Sequence, residues 1–591
     1  MNKGLVMAAV AALIAAAVYF YVQLHGRAPP EKDSPPVASG APAPAKPAPA
    51  VASSKIRGSA EGSSATEQHS AATVDTPVKP DAQPGSQPPA EAAQNANATT
   101  PNVKLGEKAL FDGWKDPALV LILSGEQHGY IEPCGCSLNQ LGGLSRRADL
   151  FRQLHERGWT TTGFDVGGLV NNPNRLQGKL KFDMMVKCLT EMRYAGVANG
   201  VEELQLTFDF LSYHKPDELP FLGTNLTLFN DPEFTGAPLL KRVVTVGKVK
   251  LGVLAVFGPE MDEKLRPNGQ GLGDFEVKIL PPAESITKHL AALEAEKPDL
   301  LILLSHSTVG ATKELAGQFP QFDIVVSAGG PEDPDPRPKF LGDKTLFVAP
   351  GQKGKHVPVV GFFPGDSKER LKYELVDLDD KRFQESPKIA EHMRFYQEDM
   401  LKERNLVANE PAIDDPRNFD PLTGKPVNAQ ENPFVGVKAC AECHKSAYQV
   451  WIDTPHAKAT ETLKVGRDHK PEFISRIFDP ECVACHVTGW DPKKVVRYKT
   501  GYEGEDKTPH LLGQQCENCH GPGGKHTELE RLFAKGTGKK EEVEAWRKFH
   551  RLSVKTAYDL CIKCHDGDND PNFKSESFEK YWDLVAHPGK D

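Results

Sequence analysis

The feature that most constrains this chain is a five-residue motif, Cys-x-x-Cys-His, which occurs four times near the C terminus. Two thiols at this spacing add across the two vinyl groups of one haem, and the histidine that follows becomes the proximal ligand of its iron. Zinc sites also use Cys-x-x-Cys pairs, but zinc does not explain a histidine directly after every pair. The motifs therefore predict four covalently bound c-type haems. Their ligand residues are Cys440, Cys443, His444, Cys482, Cys485, His486, Cys516, Cys519, His520, Cys561, Cys564 and His565.

The region around the motifs, residues 436–591, has few long aliphatic runs. Four porphyrins supply apolar surface that the side chains lack, so we expect a mainly α, haem-packed multihaem cytochrome c domain. Each iron then needs a sixth ligand or keeps an open position. The histidines outside the motifs that qualify are His456, His469, His510, His526, His550 and His587.

Four runs in this region are CAECHKSAYQVWIDTPHAKA, CHVTGW, CENCHGPGGKH and YWDLVAHPG. Together they resemble the tetrahaem cytochrome family of the electron acceptor of hydroxylamine oxidoreductase. The resemblance implies closely packed bis-histidine haems, often with one five-coordinate haem. It also implies that His456 and His526 are distal ligands, with His587 as a weaker third. The fourth distal position stays open, and His469 and His510 are the alternatives for it.

The N terminus carries an export signal. Residues 4–24 are uncharged and mostly apolar, which is long enough for a helix that crosses a bilayer. Bulky residues at 19–21 stand where a cleavage site needs small ones, so we expect an uncleaved transmembrane helix over 1–26, with a cleaved signal peptide as the alternative. Lys3 on the cytoplasmic side leaves the rest outside. The prediction is a protein on the periplasmic side of the cytoplasmic membrane, anchored at its N terminus.

Residues 27–103 contain 14 prolines among Ala, Ser, Gln and Lys, with almost no aromatic residues. Such a segment buries too little apolar surface to offset its ordering entropy, so it predicts a disordered Pro/Ala-rich tether. The net charge of the whole chain is −9, which argues against a nucleic-acid binder led by basic charge. We therefore expect periplasmic or membrane redox partners, and no nucleic acid.

The middle region, residues 104–382, alternates apolar strand-like runs with segments of helical periodicity. Polar residues follow the strands, where open α/β sheets carry their sites. The expected helices are 142–158 and 285–297, and a further helix-like segment, 387–404, precedes a linker that reaches residue 435. The expected strands are 118–125, 160–168, 220–226, 246–258, 298–307, 322–330 and 345–351.

The order of SGEQHG, GGLSRR, DVGG and LSH in this region resembles the periplasmic 5′-nucleotidase family, whose domain is a calcineurin-like metallophosphoesterase with an αββα sandwich. The resemblance implies metal ligands at Glu126, His128, Asp165 and His306. However, Gly168 stands where the family has its bridging Asp, and a two-metal centre needs that carboxylate.

Two further family motifs are also altered, because GVEE (200–203) replaces GNHE and SAGGPED (327–333) lacks both histidines of GHxH. The four remaining ligands predict a degenerate site for at most one divalent metal, namely Mn, Zn or Fe. Hydrolysis of the 5′-nucleotidase type is therefore an alternative rather than the favoured function.

A short insertion, EPCGCS, places Cys134 and Cys136 one residue apart soon after the first strand. Such a pair outside the cytoplasm binds metal, forms a strained disulfide or acts as a reactive dithiol. The arrangement resembles a phosphoesterase-like family with a redox cysteine or selenocysteine here, and we predict a catalytic redox pair or a metal site. Cys188, within DMMVKCLTEM, is expected to be buried by packing.

The sequence thus predicts a multidomain, membrane-tethered periplasmic cytochrome that transfers electrons and carries a phosphoesterase-like domain. An electron carrier or oxidoreductase is favoured. The alternatives are a metal-dependent phosphoesterase fused to a cytochrome, and a haem oxidoreductase that acts on a small nitrogen or sulfur compound. The predicted boundaries are 1–26 for the anchor, 27–103 for the tether, 104–382 for the phosphoesterase-like domain, 383–435 for the linker and 436–591 for the tetrahaem domain.

Overall fold

A computed structural model describes residues 109–133, 140–206, 219–231, 234, 236–273, 276–365, 369–467, 469 and 472–587. The predicted transmembrane helix over 1–26, the tether over 27–103 and the Cys134/Cys136 pair lie outside these residues. Within the described ranges, no helix is both long enough and apolar enough to cross a membrane.

The strands are short and numerous. In chain order they are β1 Leu119–Ser124, β2 Thr161–Asp165, β3 Tyr194–Ala198, β4 Phe221–Leu222, β5 Leu226–Leu228, β6 Arg242–Val246, β7 Val249–Phe257, β8 Val277–Ile279, β9 Leu300–His306, β10 Ile324–Ser327, β11 Lys339–Leu341, β12 Thr345–Val348, β13 His356–Phe362, β14 Leu371–Asp377, β15 Ala412–Ile413, β16 Trp490–Asp491 and β17 Val496–Tyr498.

The helices fall into two groups. Those of the first part are α1 Leu144–Glu156, α2 Leu176–Glu191, α3 Val201–Gln205, α4 Asp262–Leu265, α5 Pro282–Glu294, α6 Val309–Gln318, α7 Pro387–Arg394 and α8 Leu406–Asn409. Those of the haem-motif region are α9 Val437–Ala441, α10 Lys445–Ile452, α11 Ala459–Val465, α12 Pro480–His486, α13 Cys516–His520, α14 Gly524–Ala534, α15 Lys540–Phe549, α16 Val554–Cys561 and α17 Phe578–Val585.

Two six-stranded sheets form the centre of the first part, with strand orders β14-β13-β1-β2-β3-β4 and β11-β12-β10-β9-β7-β6. Their central strands run parallel, from β1 to β4 in one sheet and through β7, β9, β10 and β12 in the other. Such strands are covered on both faces, which is why they read as continuous apolar runs in the sequence.

The two sheets pack face to face. Alternate residues of β1, such as Leu121 and Leu123, enter the core between the sheets, while Val120 and Ile122 face an outer helical layer. Helices α1, α2 and α7 contribute to that outer layer, and α5 and α6 cover the second sheet. The four layers form the predicted αββα sandwich, and fully buried Cys188 belongs to its helical core as expected.

Three local predictions need correction. The expected strand over 220–226 contains only Phe221–Leu222 before a turn. The expected helix over 387–404 is α-helical through Arg394 and continues as a π-helix over Phe395–Lys402. Strands β13 and β14, which the sequence analysis did not single out, complete the first sheet, and β13 lies antiparallel to β1.

The haem-motif region has little core of its own, and its buried apolar residues form three small clusters. Its only sheet within the described ranges is three-stranded and recruits β15 from the preceding linker. This sparse packing fits the expectation that porphyrins supply much of the missing apolar surface. The phosphoesterase-like part and the haem-motif region belong to one compact unit.

Candidate functional site

Each Cys-x-x-Cys-His motif lies on a helical turn. Two motif histidines end α12 and α13, and in the other two motifs the histidine amide donates to the carbonyl of the first cysteine, at 2.9 Å for both His444 and His565. One helical turn brings the first cysteine and the histidine to the same face. All eight motif thiols are free of disulfides, as haem attachment requires.

Three motif histidines face a second histidine ring. The centroid separations are 6.3 Å for His444 and His526, 6.1 Å for His565 and His456, and 5.9 Å for His520 and His587. Because a metal–imidazole bond is about 2 Å long, two imidazoles on opposite sides of one iron have centroids about 6 Å apart. The three pairs therefore fit three bis-histidine haems.

Burial keeps the distal rings in the form that binds metal. Burial and the nearby His565 lower the pKa of His456 to about 4, and burial also lowers the pKa of His526. A neutral imidazole is the form that ligates a metal ion. His456 and His526 thus have the chemistry and the ring partners that a sixth ligand needs, while exposed His587 has a ring partner alone.

Three of the four motif histidines are oriented through Nδ1, which leaves Nε2 for the iron. His486 Nδ1 lies 2.6 Å from the Ala459 carbonyl oxygen, and His520 Nδ1 lies 2.6 Å from that of His550. His565 differs, because its Nδ1 lies 2.9 Å from Oδ2 of Asp570. Such partners fix the ring orientation and tune the basicity of the ligand. Asp570 had no recognisable signal in the sequence.

His486 has no second histidine ring against it in the part of the chain that the structure describes. His469 and His510, the two alternatives for the fourth distal position, do not stack on any motif histidine within the described ranges. His510 instead lies beside Gly436 and accepts a hydrogen bond through its carbonyl from Gln515. Within the described residues, the geometry therefore assigns no second histidine to His486.

The motifs approach one another in two pairs. The Cys516 thiol is close enough to Cys440 to raise the pKa of that thiol, which joins the first motif to the third. Cys564 likewise raises the pKa of Cys485, which joins the second motif to the fourth. The four motifs are therefore arranged as two neighbouring pairs.

A cavity of about 1210 Å³ lies between the second and fourth motifs and the phosphoesterase-like part. Cys482, His486 and His565 line one side of it. Residues 128–133, which follow β1, line the other side. Haems attached to these two motifs would therefore lie where the two parts of the molecule meet.

Polar contacts hold that junction. Lys353 Nζ contacts both carboxylate oxygens of Asp568, at 2.8 and 2.7 Å, and Tyr130 donates to the same carboxylate at 3.1 Å. Lys181 Nζ lies 2.5 Å from Oε2 of Glu481. Because Asp568 follows His565 by three residues, the contacts with the phosphoesterase-like part reach the edge of the fourth haem site.

The residues predicted to hold a divalent metal lie at neighbouring strand ends, as expected. Burial raises the pKa of Asp165 to about 6 and lowers the pKa of His306 to about 4. Burial also raises the pKa of Glu126, and burial with the nearby His306 lowers the pKa of His128 to about 4. All four groups therefore share a poorly solvated pocket.

Their donor atoms are nevertheless used within the protein. Asp165 accepts from Ser124 Oγ at 2.5 Å and from the Gly167 amide at 2.8 Å. His306 uses Nδ1 toward the Val166 carbonyl at 2.8 Å, and its Nε2 faces the Val201 amide at 3.4 Å. Partners of this kind hold both side chains in place at the strand ends.

Glu203 lies in the altered GVEE segment and is fully buried. Its carboxylate accepts hydrogen bonds from the amides of Gly168, Leu169 and Gly200, at 3.0, 2.8 and 2.8 Å. It thus joins the ends of β2 and β3. Among the described residues, no three His, Cys, Asp or Glu side chains group as a metal site, so the divalent metal stays a prediction.

Comparison with known proteins matches residues 439–521 to the family described as cytochrome c554 and c-prime. Cytochrome c-554 of Nitrosomonas europaea is 34% identical over 158 residues, which cover 24% of this chain and 62% of that protein. An apyrase of Aedes aegypti is 22% identical over 196 residues, covering 31% of this chain and 34% of that protein. The chain therefore spans less than two thirds of either relative.

Among solved structures, the 5′-nucleotidase precursor of Thermus thermophilus has a TM-score of 0.42 at 22% identity, covering 51% of this chain and 63% of that chain. A calcineurin-like phosphoesterase of Bacillus subtilis has a TM-score of 0.39 at 14% identity, covering 49% of this chain and 99% of that chain. The resemblance of the C-terminal region to the tetrahaem cytochrome family is therefore confirmed over residues 439–521, and solved 5′-nucleotidases are among the structures similar to the phosphoesterase-like part.

Proposed function

We propose that this protein is a tetrahaem electron-transfer protein on the periplasmic side of the cytoplasmic membrane, held there by the predicted N-terminal helix. The three pairs of a motif histidine with a distal histidine, 5.9 to 6.3 Å apart, carry the proposal. Iron with two histidine ligands changes oxidation state without needing an exchangeable site. The approach of the first motif to the third, and of the second to the fourth, supports electron exchange between neighbouring haems.

The test uses the full chain, matured with haem and kept in detergent. Pyridine haemochrome analysis should give four haems per chain. Electron paramagnetic resonance of the oxidised protein should give three low-spin centres and one high-spin centre, which is assigned to the haem at His486. A potentiometric titration should take up four electrons reversibly. Fewer than four haems, or haems that do not cycle reversibly, would contradict the proposal.

Cys134 and Cys136 extend the proposal to the phosphoesterase-like part. Oxidation of this dithiol to a disulfide releases two protons and two electrons, and each electron reduces one ferric haem iron. The described residues on either side support contact with the haem region, because Glu132 pairs with Arg476 and Gln140 Nε2 donates to the Asp568 carbonyl at 2.9 Å.

A small dithiol reductant, added anaerobically to the oxidised full chain, tests this exchange through the haem absorption bands. The variant Cys134→Ser/Cys136→Ser should be reduced much more slowly than the parent. Cys188→Ala is the matched control, because it removes the remaining cysteine outside the haem motifs. Equal rates in the parent and the double variant would exclude a redox role for the pair.

A second candidate function is reduction or oxidation of a small nitrogen or sulfur compound at the haem of His486. The observation that favours it is the lack of a second histidine ring there among the described residues. Adding nitrite, hydroxylamine or sulfite to the oxidised protein should then shift the high-spin signal and leave the low-spin signals unchanged. A high-spin signal that responds to none of these ligands would argue for electron transfer alone.

A further inference from the structure

The segment after the fourth motif reads His-Asp-Gly-Asp-Asn-Asp, and its three carboxylates have three different partners. Asp566 pairs with Lys493 at 2.7 Å, within the haem-motif region. Asp568 pairs with Lys353 of the phosphoesterase-like part. Asp570 turns back to the proximal histidine of its own motif, His565. The first two carboxylates are neutralised by lysines, and within the described residues Asp570 has neither a lysine nor an arginine partner.

The contact with Asp570 distinguishes this haem site from two others. His486 and His520 each place Nδ1 against a backbone carbonyl, which is a neutral acceptor. His565 places Nδ1 against a carboxylate, whose full negative charge draws the Nδ1 proton toward the oxygen. The imidazole then carries more negative charge at Nε2 and becomes a stronger donor to iron. Side-chain exposures of 33% for His565 and 21% for Asp570 leave the pair partly shielded from water.

We infer that Asp570 gives the haem of Cys561 and Cys564 a lower reduction potential than it would have with a neutral Nδ1 partner. A more anionic ligand stabilises ferric iron relative to ferrous iron. Hydrogen bonding to the ligand is one of the means by which proteins tune the reduction potential of haem. The inference rests on the proposed function, since it assigns a role within the haem chain. Asp570 is a positioning and tuning residue that acts on iron through His565.

The position of this haem relates Asp570 to the phosphoesterase-like part. Lys353 and Tyr130 hold Asp568, two residues before Asp570, so the phosphoesterase-like part fixes the segment that carries the tuning carboxylate. The haem whose potential Asp570 lowers would therefore lie on the side of the haem-motif region that meets the phosphoesterase-like part.

The test compares full-chain variants by potentiometric titration, with haem content measured alongside. Asp570→Asn keeps an oxygen acceptor for His565 and removes the charge, so one of the four one-electron components should move to higher potential. Asp570→Glu, which keeps the carboxylate, should restore the parent curve. Asp566→Asn is the matched control, because it removes a neighbouring carboxylate that does not contact His565.

The inference is overturned if Asp570→Asn holds four haems and its titration curve superimposes on that of the parent. An equal shift of all four one-electron components would also overturn it. Asp570→Ser offers a second neutral acceptor if Asn prevents haem attachment. If both neutral variants lose the fourth haem and Asp570→Glu keeps it, Asp570 is needed for haem attachment. That result would also overturn the inference. Fewer than four haems in the parent chain would instead contradict the proposed function itself.

Discussion

Glu203 offers the sharpest test of how the phosphoesterase-like part is held together. Its carboxylate accepts three backbone amides at 2.8 to 3.0 Å and is completely buried. In Glu203→Gln, the remaining oxygen still accepts from Gly168 and Gly200, but the new amide group faces the Leu169 N–H, which is also a donor. The substitution therefore removes a charged acceptor and leaves a buried N–H without a partner.

The expected loss follows from these two effects. A hydrogen bond to a charged group contributes about 1.5 to 3 kcal/mol, and an unsatisfied buried donor costs about 1 to 3 kcal/mol. Burial raises the pKa of Glu203, so relief from burying its charge offsets part of this loss. The net destabilisation at pH 8 should be about 2 to 4 kcal/mol. That corresponds to a fall in melting temperature of roughly 5 to 10 °C for a domain of this size.

Two measurements on the full chain check this prediction at pH 8. Differential scanning calorimetry gives the change in the transition of the phosphoesterase-like part, and hydrogen exchange follows the amides of Gly168, Leu169 and Gly200. Those amides should lose protection in Glu203→Gln and keep it in Glu202→Gln, the neighbouring control. A melting temperature within about 1 °C of the parent, with protection unchanged, would refute the assigned role of Glu203.

Three further predictions follow from particular contacts. Burial raises the pKa of Glu202 to about 7, so protonation of this side chain stabilises the folded state, and the free energy of unfolding should fall as pH rises from about 4.5 to about 7. Glu202→Gln should therefore be more stable than the parent by up to about 3 kcal/mol at pH 8 but not at pH 4. Thermal melts at both pH values check this. His526→Ala should convert one low-spin haem to high spin. His550→Ala is the control, because the His550 ring lies 5.1 Å from that of His526 and stacks on no motif histidine within the described residues; this variant should keep three low-spin centres. Equal spectra for the two variants would contradict the pairing of His444 with His526. Lys353→Met should lower the unfolding free energy by about 2 kcal/mol, because it removes the cation that contacts the carboxylates of both Asp568 and Glu332. Lys339→Met at the exposed Asp335 pair should leave the unfolding free energy nearly unchanged, and chemical denaturation measures both.

Internal hydrogen bonds hold the strand ends that carry metal ligands in the related family. Gly168 stands where that family has its bridging carboxylate, and Glu203 binds the Gly168 amide directly. Asp165 and His306 also have neighbouring protein partners. Residues 128–133, which follow the first of these strand ends, line the cavity that the second and fourth haem motifs share.

Local sequence patterns predicted the strands and motifs that depend only on residues close together in the chain. The strands β1, β7 and β9 are buried on both faces, so their apolar runs identify them without knowledge of their neighbours. The Cys-x-x-Cys-His motif needs only one helical turn to present two thiols and a histidine to one haem. The distal roles of His456, His526 and His587 came from a resemblance between motifs, and the ring pairs support each of them.

The tertiary structure alone decided which groups meet across long stretches of chain. Strand β13 lies beside β1, and His456 faces His565 rather than another motif histidine. Asp570, Glu203 and Lys353 acquired their roles in the same way. Contacts of this kind depend on how whole layers pack, and packing is set by the sum of many weak interactions rather than by the residues on either side. The sequence therefore specified the haem-attachment motifs, while the fold specified the histidine ring pairs, the contact of Asp570 with His565 and the junction between the two parts.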